Sequence, residues 1–143
     1  MDIFYIKLKM QIKIKPISIT DYPKLIEFWK ENYLLTPLDE YERFKLFLGK
    51  NLNLSLIAES DKKIIGTILV SFDGRRGSFQ KVVVNKNLRG KGIGEKLVKE
   101  AVKKLEKLDC IDIRFNVNEE LVSFYEKCGF KKDARPTMIF KKF

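Results

Sequence analysis

The amino-acid sequence predicts a single mixed α/β domain, and three observations carry that prediction. Strand-like segments joined by tight turns run from Leu52 to Val84, as antiparallel hairpins do. The apolar segment Ser78–Val84 then runs into a glycine-rich loop and a long amphipathic helix, with another strand-like segment after it, the order of a strand–helix–strand unit. Finally, 143 residues with 45% hydrophobic composition and 11 Phe suffice for one domain that buries about two-thirds of its unfolded surface.

The elements follow in order. Met1–Met10 contains Lys7 and Lys9 and no apolar block of signal-peptide length, so it reads as an extension of the first strand or as a leader to a second start at Met10. Gln11–Lys15 alternates apolar and polar residues and predicts a strand ending near Pro16. Thr20-Asp21-Tyr22-Pro23 offers an N-cap and an early proline for a helix reaching about Tyr33. Leu35-Thr36-Pro37 breaks it, and Leu38–Leu48 predicts a second helix. Leu52–Glu59 and Ile64–Phe72 read as strands around an Asp61-Lys62-Lys63 turn. The turn Asp73-Gly74-Arg75-Arg76-Gly77 leads into strand Ser78–Val84. Ile93, Leu97, Val98, Ala101, Val102, Leu105 and Leu108 make one face of a helix from Ile93 to about Leu108. Ile111–Val117 is the next expected strand and Glu119–Lys127 the last helix, with Gly129 as its C′ residue. Phe130–Lys132 and Thr137–Lys142 complete the strands around Arg135-Pro136.

The connection from Val84 to the long helix holds the chemistry. Asn85-Lys86-Asn87-Leu88-Arg89-Gly90-Lys91-Gly92-Ile93-Gly94-Glu95 sets glycines at the mouth of a helix, whose first N–H groups lack intrahelical partners and whose dipole is positive there. Such a loop cradles an anion with main chain. From Gly74 to Gly94 there are six Lys or Arg residues and no acid. A P-loop is excluded, because Glu95 stands five residues after Gly90 and no Ser or Thr follows Lys96. A dinucleotide fingerprint is excluded too: Gly90-Lys91-Gly92 supplies its first half, but Glu95 occupies the third glycine position.

Composition removes further classes. The chain has no histidine, so Ser–His–Asp and Cys–His nucleophile systems and His-based metal sites are ruled out, and no metal is expected. Cys110 and Cys128 form no zinc spacing and read as free thiols in a reducing compartment. A net charge of +10 invites a nucleic-acid reading, but the lysines are spread along the chain and no nucleic-acid motif accompanies them. No run approaches the ~20 apolar residues of a membrane span.

Arg89-x-x-Gly92-x-Gly94 directly after a strand resembles the [Q/R]-x-x-G-x-[G/A] pyrophosphate loop of the GNAT family of N-acetyltransferases. Asn118-Glu119-Glu120-Leu121-Val122-Ser123-Phe124-Tyr125-Glu126-Lys127-Cys128-Gly129-Phe130 resembles that family's second signature, N-x-x-[A/L]-x-x-[L/F]-Y-E-K-x-G-F. The D-G-x-R-G turn of residues 73–77 is similar to that of a bacterial or archaeal subgroup. The resemblance spans roughly residues 11 to 143 and is strongest from Ile64 to Phe130.

It implies a mostly antiparallel sheet of six to seven strands with about four helices. It also implies an acetyl-CoA-dependent transferase in which main-chain N–H groups of Arg89, Gly90, Lys91, Gly92, Ile93, Gly94 and Glu95 hold the pyrophosphate. Val82, Val83 and Val84, core residues by their side chains, would turn main chain at a bulge toward the pantetheine arm and acetyl carbonyl. Phe124 and Tyr125 would lie along the coenzyme, with Tyr125, otherwise a packing residue, protonating the leaving thiolate. Asn118 would bond the pantetheine amide unless it only caps its helix, with Asn116 as a substitute. The general base is open among Glu31, Glu59, Asp73 and water. The expected acceptor is a small-molecule or peptide amine, with no nucleic acid or membrane partner, in a cytoplasmic monomer or homodimer. A non-catalytic acyl-CoA-binding or sensing module is the alternative.

Overall fold

A computed structural model describes residues 11–143; the alternatives for Met1–Met10 lie outside them. One antiparallel sheet forms in the order β1-β2-β3-β4, with β1 Lys13–Pro16, β2 Leu56–Ser60, β3 Lys63–Phe72 and β4 Gly77–Val84. The helices are α1 Tyr22–Glu31, α2 Tyr41–Lys50, α3 Ile93–Lys107 and α4 Val122–Lys127. β2 and β3 are joined through Asp61 and Lys62, both at positive φ (51° and 64°), the backbone twist that a two-residue hairpin requires.

Both faces of the sheet are covered. Ile57, Leu69 and Val83 project onto Leu25, Phe28 and Trp29 of α1 and Phe44 of α2. Leu56, Ala58, Ile68, Val70 and Phe79 pack with Leu97, Val98, Ala101 and Leu105 of α3 and Tyr125 of α4. A strand buried on both sides reads as a near-continuous apolar run rather than an alternation, and Ile65–Val70 reads so except at the buried Thr67. Cys110 is buried and Cys128 half-buried, and both are free thiols.

Several boundaries differ from the sequence reading for local reasons. Ser18, not Thr20, is the first cap: its hydroxyl accepts Thr20 N–H at 3.3 Å and its own N–H donates to Asp21 at 2.8 Å. This capping box opens a 3₁₀ turn, Ile19–Asp21, before α1. Thr36 and Asp39 repeat the device over Pro37–Asp39. Glu40 is then extended at ψ 146°, so α2 starts at Tyr41. β2 starts at Leu56 instead of Leu52; upstream of it, Asn53 is left-handed at φ 62°, outside the strand region of backbone space.

The strand count also differs: four strands make the ladder among the described residues, against the six to seven implied. The Ile111–Val117 segment makes a single parallel bridge, Ile113 to Gly77. Gly77 N–H donates to Asp112 O and Arg114 N–H to Gly77 O, both at 2.9 Å. Farther along, β4 carries a bulge, which bends a strand and interrupts its pairing, and no second rung forms. Phe130–Lys132 and Thr137–Lys142 carry no ladder. Met138, Ile139 and Phe140 stay exposed, so little apolar burial offsets the entropy of ordering strands there. Side-chain bonds tie this stretch to its neighbours instead: Arg114–Asp133 at 2.9 Å, Lys132–Glu119 at 2.7 Å and Thr137–Asn116 at 3.1 Å.

Candidate functional site

The site is built where β4 leaves the sheet. Thr67 pairs with Val83 but Leu69 pairs with Gln80, so two steps along β3 match three along β4. The extra residue makes a bulge at Lys81–Val82, with Lys81 left-handed at φ 52°. Thr67 Oγ1, fully buried, donates to Lys81 O at 2.8 Å and accepts Trp29 Nε1–H at 3.1 Å. The bulge expected beside Val83 is present, and side chains from α1 and β3 hold it.

Past Val84 the loop is ordered by its own polar groups. Asn85 N–H donates to Ile65 O at 2.8 Å, and Asn85 Oδ1 accepts Asn87 N–H at 3.0 Å. Gly90 and Gly92 are at φ 79° and 83°, conformations that cost most side chains strain and glycine none. The first helical bond of α3 runs from Lys96 N–H to Gly92 O at 3.0 Å. Among the described residues nothing accepts from the N–H groups of Lys91, Gly92, Ile93, Gly94 or Glu95. A Cβ built on Gly90 or Gly92 meets no atom within 4 Å, so that side of the loop is open. Gly94 serves a different end. Its Cβ would stand 3.2 Å from Phe124 Cζ and 3.5 Å from Val84 Cγ2, so glycine lets α3 close on both.

The loop's side chains contribute less. Arg89 Nε donates to Val84 O at 3.2 Å, pinning that side chain to the strand end. Glu95 pairs with Lys99 at 2.8 Å, and this hydrogen bond and charge hold its carboxyl below the usual range. The groups that the loop leaves without a partner among the described residues are therefore mainly backbone.

Phe124 joins this loop to Tyr125, the two rings meeting edge-on at 4.9 Å. Tyr125 also packs edge-on against Phe115 at 4.8 Å and is 6% exposed. α4 is fixed beneath it by a Schellman end: Phe130 N–H donates to Tyr125 O at 3.1 Å and Gly129, at φ 97°, donates to Glu126 O at 3.0 Å. Gly129 thus holds the C′ position expected of it. Burial, with Cys128 as a lesser cause, pushes the Tyr125 phenol up to about 12. No described residue bonds its hydroxyl, yet the oxygen is not sealed from solvent. Tyr125 borders a cleft of about 920 Å³ between Phe115, Asn116, Phe130 and residues 131–137. No residue of the 82–95 stretch lines that cleft.

Asn118 precedes the 3₁₀ turn Glu119–Leu121, but its side chain caps nothing and is exposed. Among the described residues nothing bonds its amide, whereas Asn116 Oδ1 lies 3.1 Å from Thr137 Oγ1. Of the suggested bases, Asp73 is taken up by its turn, accepting Arg75 and Arg76 N–H at 2.8 and 2.7 Å. These bonds hold its carboxyl below the usual range. It also sits at the Gly77 end of β4, roughly 20 Å from Val83 at about 3.3 Å per residue. Glu59 pairs with Lys15 at 3.3 Å, and Glu31 is exposed. Sequence reasoning missed the carboxylate that does approach the bulge: Asp39, 2.9 Å from Lys81 Nζ. Thr36-Pro37-Leu38-Asp39 signals a capping box, but nothing in the sequence joins it to a lysine 42 positions on.

Solved structures share this arrangement of elements. Glucosamine-6-phosphate N-acetyltransferase from Arabidopsis thaliana is 22% identical, covering 91% of this chain and 98% of its own at a TM-score of 0.71. A Trypanosoma brucei acetyltransferase is 20% identical over 92% and 100% of the two chains, TM-score 0.74. A Clostridium acetobutylicum protein described as a predicted acetyltransferase with acetyl-CoA is 18% identical over 91% and 96%, TM-score 0.75. These likenesses establish the fold. The model of the acetyltransferase (GNAT) family matches residues 21–130, a span that takes in the bulge, the glycine loop and Tyr125, and the chain belongs to that family.

Proposed function

We propose that this acetyltransferase moves an acetyl group from acetyl-CoA to a primary amine by direct attack. The observation that carries the reading is the run of N–H groups from Lys91 to Glu95, unpartnered among the described residues, open at Gly92 and set on the N-terminus of a 15-residue helix. Five such donors and the helix dipole suit a diphosphate. Phe124 and Val84 close the loop's inner side. Main chain at Val82–Val83 would bond the acetyl oxygen as negative charge grows on it. Asn118 would bond the pantetheine amide.

In the reaction the amine nitrogen bonds to the acetyl carbon, the carbon–sulfur bond breaks, and sulfur leaves with the electron pair. The amine's surplus proton passes to water, and the thiolate recovers a proton from its surroundings. Tyr125 assists the departure in a limited way. A phenol near 12 facing a thiolate of ordinary pKa, about 8.5, gives up its proton at a cost of about 5 kcal/mol. It therefore acts as a hydrogen-bond donor to the sulfur, and solvent completes the protonation. No carboxylate lies on β4; water serves as base, or the amine arrives neutral and needs none before it attacks.

The proposed acceptor is a small-molecule or peptide amine and the proposed setting the cytoplasm. Separately, no helix among the described residues is long and apolar enough to cross a membrane. The second reading, an acyl-CoA-binding module without turnover, draws on that missing β4 carboxylate. Thiol release from acetyl-CoA, measured against a panel of small amines and peptides, separates the two. Amine-dependent release supports the transferase. Acetyl-CoA binding without release for any amine supports the binding module.

A further inference from the structure

The single buried carboxylate among the described residues, Asp39 at 5% exposure, lies against the β4 bulge and outside the acetyl-CoA contacts given above. Its Oδ2 is 2.9 Å from Lys81 Nζ, the two side chains being 6% and 13% exposed, and it also accepts Thr36 N–H at 2.9 Å. Lys81 Nζ donates to Leu34 O as well and stands 5.3 Å from the Trp29 ring centroid. At the other end of the residue, Lys81 O accepts from Thr67 Oγ1 at 2.8 Å. Lys81 is thus gripped by its ammonium and by its carbonyl while its backbone is left-handed at φ 52°. That conformation is disfavoured for any residue with a Cβ and persists only where the surroundings over-determine it. A buried ion pair adds little net stability over an apolar pair, and burying a lysine side chain costs rotamer entropy. What this pair supplies is geometry.

We infer that the Asp39–Lys81 pair is a positioning element: it locks Lys81 left-handed and fixes the bulge. It thereby aims the Val82–Val83 main chain at the acetyl oxygen. The inference rests on the proposed acetyl transfer for its consequence, but not for the geometry it asserts.

The test compares Asp39→Asn, Lys81→Met and Lys81→Gly with the wild type in two measurements. The first is the amide NMR spectrum of the ligand-free protein, which needs no turnover. Asp39→Asn and Lys81→Met should displace the Val82 and Val83 resonances and leave those of Gly92–Glu95 in place. The second is steady-state kinetics well below each variant's Tm. Both substitutions should lower kcat about tenfold or more, a part of the loss seen when an oxyanion donor is deleted. KM for acetyl-CoA should stay within about threefold. Lys81→Gly reaches φ 52° without strain, so it should lose less kcat than Lys81→Met although it removes more side chain. Unmoved Val82 and Val83 amides, a lowered Tm with kcat intact, or Lys81→Gly as poor as Lys81→Met would each overturn the inference. Asp39→Asn, which keeps an acceptor for Thr36 N–H, carries the test if Lys81→Met does not fold. If the wild type turns over no amine, acetyl transfer fails as a function and the amide spectra decide the positioning role alone.

Discussion

Gly92→Ala tests the cradle with a built-in control. Gly92 and Gly74 are both left-handed, at φ 83° and 94°, and a Cβ on either meets nothing within 4 Å. Each alanine therefore has the same conformational cost, about 1–2 kcal/mol, and each should lower Tm by roughly 2–8 °C. The ligand distinguishes them. A methyl group on Gly92 projects into the space where a diphosphate would approach the N–H groups, whereas Gly74 sits in the turn at the far end of β4. Loss of one charge-assisted hydrogen bond is worth about 1.5–3 kcal/mol. Gly92→Ala should accordingly weaken acetyl-CoA binding about 10- to 100-fold by calorimetry, with Gly74→Ala unchanged. If the two variants lose the same Tm and both keep wild-type affinity, the loop is not the diphosphate site.

Other predictions concern the leaving group, the pantetheine and the core. Tyr125→Phe should lower kcat about 10- to 100-fold, the worth of a hydrogen bond to a charged sulfur, with KM for acetyl-CoA little changed; an unaltered kcat would remove Tyr125 from the mechanism. With the phenol near 12, the kcat profile should have no falling limb from Tyr125 below about pH 11. The folded value lies above the unfolded one of about 10, so the stability contributed by the neutral phenol is present below that pH and lost as pH rises toward 12; urea titrations of Tyr125→Phe should not show this loss. Asn118 caps nothing, so Asn118→Ala should weaken acetyl-CoA binding without changing Tm, where a lost cap would cost about 1 kcal/mol. Gly77→Ala places a Cβ 2.7 Å from Leu105 Cδ1 and 3.2 Å from Cys110 Sγ, and should destabilise by about 1–3 kcal/mol in denaturant titration.

What the sequence revealed follows from how local each determinant is. The long helix was legible because its period-3.6 face and glycine mouth are encoded within one segment, and α3 spans Ile93–Lys107 as that pattern requires. The hairpins were legible from their turns. Gly129 as the end of α4 was legible because only a left-handed residue fits there. The last strands were not, since Ile111–Val117 has strand composition but its pairing depends on how far β4 stays straight, and the bulge decides that from another part of the chain. Asp39 was hidden for the same reason: its role depends on Lys81, which the fold, not the sequence, brings within 2.9 Å. Phe124 was visible as a motif position, whereas its contact with Gly94 across two helices was not.

In the proposed reaction the main chain of the glycine loop receives the diphosphate of acetyl-CoA while the bulge receives its acetyl group. An amide NMR titration of the labelled protein with acetyl-CoA reads both places at once. The Gly92, Ile93, Gly94 and Glu95 resonances should shift together with those of Val82 and Val83, saturating at one equivalent and leaving Gly74 in place. Saturable binding that moves neither group of amides would place the coenzyme elsewhere on the protein.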